Sequence, residues 1–128
     1  MLDAAEAAGE VVWSFGLLKY GNGLCHGITG NAYLLNCLYR AFVYFSETAV
    51  SKQMKEFYLK QAQKWRARTY IFARALTDPA IQDKTHDDEK RNSYKYPCSL
   101  FNGVAGDVYF LSELLRDESN LRFPAYEI

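Results

Sequence analysis

The sequence predicts an all-α fold, and three features carry that prediction. Apolar side chains recur three and four residues apart through two long segments. A Gly-x-x-Gly turn feeding an apolar run occurs twice, and no segment shows the strict apolar/polar alternation of a half-buried strand.

The first element is a helix from about Asp3, read as its N-cap, to Phe15, with Val11, Val12, Trp13 and Phe15 apolar near its end and Gly16 weakening it. A glycine cluster follows at Gly21, Gly23, Gly27 and Gly30, enclosing Leu24-Cys25-His26. Such density marks an irregular loop with backbone in conformations that a Cβ would forbid. The second helix covers Asn31 to Phe45, where Leu34, Leu35, Leu38, Ala41, Phe42 and Phe45 form one buried face. The third runs from about Ser51 to Leu76, with Met54, Tyr58, Ala62, Trp65, Thr69, Phe72 and Leu76 as its apolar stripe. Trp13 and Trp65 belong to the core on this spacing. Residues 77–96 carry Pro79 and a dense run of both charges, a composition that predicts a mobile charged loop. A last helix covers about Gly106 to Leu115, and the segment from Arg122 to Ile128 is too apolar to be an idle end.

Composition narrows the function. A chain of 128 residues suits one domain, since domains usually run about 100–200 residues. Its 15 basic and 15 acidic residues cancel to +0, so no long-range field gathers nucleic acid or anionic lipid. At 49% hydrophobic and 16% aromatic it is far from a disordered composition. The longest apolar candidate, Asn31 to Phe45, is broken by Asn36, Tyr39 and Arg40, which excludes a membrane span. No signal-peptide layout opens the chain, and its three cysteines cannot all pair, so reduced thiols in the cytoplasm are the expectation.

The repeat is the feature closest to function. Leu24-Cys25-His26-Gly27-Ile28-Thr29-Gly30-Asn31-Ala32-Tyr33-Leu34-Leu35 matches Leu100-Phe101-Asn102-Gly103-Val104-Ala105-Gly106-Asp107-Val108-Tyr109-Phe110-Leu111, with Leu, both Gly, Tyr and the final Leu coinciding. Asn31 and Asp107 follow the second Gly, where a short polar side chain can satisfy free helix N–H groups. Repeated units stack because one alone cannot bury its apolar face, and fewer than two units are present, so the chain reads as a piece of something longer.

The copies differ at Cys25-His26, replaced by Phe101-Asn102. Thiolate and imidazole suit Zn²⁺, and flanking glycines let consecutive side chains turn toward one ion. By spacing alone the signal is weak, and a small buried Cys beside a hydrogen-bonded His is the favoured reading. Covalent haem would need Cys-x-x-Cys-His, which is absent, and a cysteine protease would need a distant base, while His86 lies in the charged loop. Cys37 and Cys98 read as inert thiols.

Gly21-Asn22-Gly23-Leu24-Cys25-His26-Gly27-Ile28-Thr29-Gly30-Asn31-Ala32-Tyr33 resembles the signature of the LanC-like proteins, eukaryotic relatives of bacterial lanthionine synthetase C components. The stretches from Val12 to Lys19, Ser99 to Gly106 and Arg122 to Glu127 are also similar to that family. The resemblance implies an α/α toroid built from helical hairpin repeats, of which residues 1–128 would be the C-terminal third. It also implies a zinc held by two cysteines and a histidine: Cys25 and His26 match two of them, and the third protein ligand is expected upstream of this chain.

On this resemblance the metal activates a thiol, that of glutathione in the eukaryotic members, for addition to dehydroamino acids in a peptide or protein, giving a thioether. The acid that protonates the resulting enolate would precede this chain. Two departures bear on glutathione. Tyr20 stands where the glutathione-binding members carry a basic residue, with Lys19 one place earlier; Arg91 and Lys95 sit at shifted spacings from an expected Arg, and Asn102 replaces the usual Glu. Lys19 and Arg91 are therefore the candidate substrate-binding residues, with a solvated surface charge as the other reading of each. A non-catalytic zinc- or glutathione-binding adaptor of the same fold is the alternative function. A toroidal glycoside hydrolase would need two opposed carboxylates, and the repeat loops offer only Asp107. The resemblance implies a cytoplasmic protein, with peripheral association at the plasma membrane left open.

Overall fold

The computed structural model describes residues 2–18, 22–78, 80–81 and 98–124. Among these the chain forms α1 (Leu2–Phe15), α2 (Ile28–Glu47), α3 (Lys52–Ala75) and α4 (Val104–Asp117), with no strand. The all-α expectation holds. Both α2 and α4 begin before the expected start because the first glycine of each Gly-x-x-Gly, Gly27 or Gly103, is the N-cap, so the rest of the turn is already helical. Asp3 lies inside the first turn of α1 instead of capping it, where its charge still complements the helix N-terminus.

α2 and α3 form a hairpin across residues 48–51 and supply most of the core. The Ser51 hydroxyl accepts the Met54 N–H at 3.2 Å, satisfying one of the donors left open where α3 begins. From α2 come Ile28, Ala32, Leu35, Leu38 and Phe42; from α3 come Ala62, Trp65, Phe72 and Ala73, all buried. Of the expected stripe on α3, Trp65, Thr69 and Phe72 are buried while Met54 is exposed, so the stripe tightens toward the C-terminal half. Leu34 is exposed as well, at the edge of the face that Leu35 and Leu38 bury.

α1 lies against this hairpin, with Trp13 stacking obliquely on Phe72 at 6.1 Å. α4 packs through Phe110 and Leu114, and Tyr33 of α2 sits between Phe110 at 5.0 Å and Phe123 at 5.2 Å. Asn36 and Arg40, one turn apart on α2, donate to the carbonyls of Glu118 at 3.2 Å and Leu121 at 2.6 Å. These bonds fasten the segment after α4 back onto α2, as the apolar character around Phe123 suggests. No helix among the described residues is long and apolar enough to cross a membrane. The expected mobile loop is described only at residues 77, 78, 80 and 81, and the remainder lies outside the described residues.

Candidate functional site

The Cys25-His26 pair sits on the loop that enters α2. The loop is closed by the Thr29 N–H, which donates to the Asn22 carbonyl at 2.9 Å, so the chain doubles back on itself around the pair. Gly27 makes this possible. Its φ of −133° is extended and open to any residue, but a Cβ there would lie 2.4 Å from the Asn22 carbonyl carbon and the Gly23 nitrogen. Close approach of backbone, and not a left-handed conformation, is what requires glycine. The same explanation covers the second glycine of each repeat: a Cβ at Gly30 would lie 2.3 Å from the Leu24 oxygen, and one at Gly106 2.2 Å from the Leu100 oxygen. The repeat read in the sequence is thus a repeat in three dimensions.

The second copy buttresses the first. The Cys25 N–H donates to the Phe101 carbonyl at 3.0 Å, and Leu24 packs its Cβ over Gly106. One turn further, the Thr29 hydroxyl donates to the Asp107 carboxylate, both side chains being buried. The capping roles expected for Asn31 and Asp107 are not what these residues do. Each lies in the first helical turn after a glycine N-cap that has no side-chain capping bond. Asn31 donates instead to the Gly16 carbonyl at 2.9 Å, tying α2 to the end of α1, and Asp107 joins α4 to α2. The Asp107–Thr29 pair went unrecognised in the sequence because its partners are far apart along the chain. The repeat register, which sets the two turns side by side, was the available signal. Engaged in this way, Asp107 is not the open carboxylate a glycosidase would need.

Cys25 Sγ lies 3.7 Å from His26 Nε2, and both residues are exposed. Zinc bonds of about 2.3 Å to sulfur and about 2.0–2.1 Å to nitrogen, at a tetrahedral angle, separate the two donors by about 3.6 Å. The 3.7 Å contact is a thiol–imidazole hydrogen bond, and the same separation is compatible with two ligands of one tetrahedral zinc, a metal that suits these donor types. Among the described residues no third His, Cys, Asp or Glu joins them. Cys98 is exposed near the second repeat. Cys37 lines a groove with Tyr39, Arg40, Tyr44 and Phe45 on the C-terminal half of α2, away from the pair. Lys19, Tyr20, His86, Arg91 and Lys95 lie outside the described residues.

The family model described as lanthionine synthetase C-like protein matches residues 1–128. Glutathione S-transferase LANCL1 of Danio rerio is 35% identical over 127 residues, covering 99% of this chain and 25% of that protein. LanC-like protein GCL1 of Arabidopsis thaliana is 34% identical over 128 residues, covering 98% of this chain and 24% of its own length. The chain therefore spans about a quarter of the length of these curated relatives.

Proposed function

The chain belongs to the lanthionine synthetase C-like family, and from that premise we propose that Cys25 and His26 contribute to a zinc site that activates a thiol, that of glutathione, for addition to dehydroamino acids in a peptide or protein. The observation that carries this reading is the 3.7 Å spacing of the two donor atoms on an exposed, glycine-framed loop. Zinc held there would stabilise an incoming thiol as its thiolate at neutral pH.

The chain's own residues provide the frame. Phe101 fixes the Cys25 backbone, and Gly27 lets the loop fold tightly enough for consecutive side chains to converge. In the addition, the sulfur forms a bond to the β-carbon of the dehydroamino acid and the α-carbon takes up a proton. The thiol's own proton is released, so the reaction is redox-neutral. The acid that delivers the α-proton and the third protein ligand lie outside this chain in this proposal. Glutathione is supported by the printed name of the Danio rerio relative. We place the reaction in the cytoplasm, where a reducing pool keeps thiols available.

Metal analysis of the full-length protein that carries this chain tests the proposal. Cys25→Ala and His26→Ala should each lose stoichiometric zinc and stop forming the glutathione adduct of a dehydroalanine peptide. Zinc retained in both variants refutes the site. Zinc lost from the variants, with no adduct formed by the unaltered protein, replaces the enzyme with a binding adaptor.

A further inference from the structure

The loop that carries Cys25 and His26 has two attachments of different kinds. Its backbone is closed within the first repeat by the Thr29 N–H on the Asn22 carbonyl, and it is held to the second repeat by the Cys25 N–H on the Phe101 carbonyl. Thr29 belongs to both sets of restraints. Its N–H closes the loop, and its hydroxyl donates to Asp107 on α4, across 78 positions of sequence. Thr29 is fully buried and Asp107 7% exposed, so this bond is shielded from water and its geometry is set by two helix ends at once. The carboxylate lies in the first turn of α4 and against the first turn of α2, where both helix dipoles favour a negative charge.

The consequence concerns the ligands more than overall stability. Tetrahedral coordination tolerates little error in the donor positions, and Thr29 and Asp107, which bond to neither donor, act on them through the loop backbone that the Thr29 N–H closes on Asn22. Rotating or sliding the first turn of α2 would move Asn22 and, with it, the two ends of the loop between which Cys25 and His26 project. We propose that Thr29 and Asp107 are a positioning pair, locking the first turn of α2 onto α4 so that Cys25 Sγ and His26 Nε2 are presented to one zinc ion at the correct separation. This rests on the reading of Cys25 and His26 as zinc ligands.

The test uses the full-length protein that carries this chain, with zinc affinity read by competition with a chromogenic chelator and thermal stability read on the metal-free form. Thr29→Val keeps the shape and removes the donor; acting only through the loop backbone, it should weaken zinc by up to about 10-fold, the low end of what losing a group bonded directly to a metal ligand costs. Thr29→Ser should restore affinity to within about threefold, and Asp107→Ala, which removes the acceptor, should weaken zinc in the same direction as Thr29→Val. The double variant should fall short of the product of the two single effects, because both remove one interaction. In the cobalt-loaded protein, Thr29→Val should also shift the thiolate-to-metal absorption band. Unchanged zinc affinity in Thr29→Val, or fully multiplicative effects of the two changes, overturns the positioning role even if the melting temperature falls. Cys25→Ala serves as the discriminating control: if it retains zinc, the ligand assignment itself has failed, and the positioning role falls with it.

Discussion

At Gly27 a single methyl group decides whether the loop that carries Cys25 and His26 can close. Its neighbours at 2.4 Å are backbone atoms of Asn22 and Gly23, which cannot rotate away as a side-chain end could. Gly27→Ala should therefore cost at least the 1–3 kcal/mol typical of overpacking, about, and should abolish stoichiometric zinc in the full-length protein. A melt and a metal analysis of the same preparation check both parts. Wild-type zinc content in Gly27→Ala would mean that the loop opens without disturbing the donors. The glycine density was legible in the sequence, but its cause was not, because close approach depends on which backbone segments meet. The Cys25-His26 pair was legible as a donor set, but the bond from Thr29 to Asn22 that closes the loop around it was not.

The way α1 seats on the α2–α3 hairpin yields two further predictions. Gly9 is buried, and a Cβ there would stand 2.3 Å from Leu38 Cδ1 and 2.7 Å from the Trp65 ring. Alanine would gain about 1 kcal/mol of helix propensity, but the rigid indole cannot yield, and the overpacking cost of about 1–3 kcal/mol prevails. Gly9→Ala should lower the melting temperature of the full-length protein that carries this chain, and a rise would show that α1 shifts freely on the hairpin. Beside this contact, Glu10 pairs with Lys64 at 2.7 Å and Arg68 at 2.8 Å, while Arg68 also lies over the Trp13 and Trp65 rings. The Lys64 hydrogen bond, partly opposed by desolvation and reinforced by Arg68, holds the Glu10 carboxyl below its ordinary 4.5. A carboxyl depressed on folding stabilises fully above its unfolded pKa, and that contribution is lost as pH falls through the lower folded value. Glu10→Gln should cost about 0.2–1 kcal/mol at pH 7, the range for partly exposed pairs, and the difference from wild type should shrink on acidification below about 4.5. A difference that grows in acid would contradict the assignment. The helices themselves were legible because 3.6-residue spacing is local information, as Trp65, Thr69 and Phe72 illustrate. Ion pairs such as Glu10–Lys64 were not, since they depend on how separate helices are rotated against each other.

For the molecule as a whole, apolar side chains on the outer faces of the helices bear on how residues 1–128 would behave alone. Phe15 is 76% exposed, Tyr44 62% and Leu115 81%, with Val11, Phe57, Ile71 and Val108 also exposed, and the chain spans about a quarter of the length of its curated relatives. Repeats of this kind cover such faces by stacking on neighbours. Every 400 Å² of apolar surface left in water forgoes about 10 kcal/mol at about 25 cal/mol per Å², comparable with the entire stability of a small domain. On the proposed zinc reading, the two donors of the loop would bind the metal weakly by themselves, because affinity depends on a preformed site with its full ligand set. Purified residues 1–128 should therefore self-associate, bind a hydrophobic dye, melt without a sharp transition and fail to hold stoichiometric zinc. A monomer with a cooperative transition and one tightly held zinc would show that the hairpin and its flanking helices suffice as a core, and that the zinc ligands include residues other than Cys25 and His26.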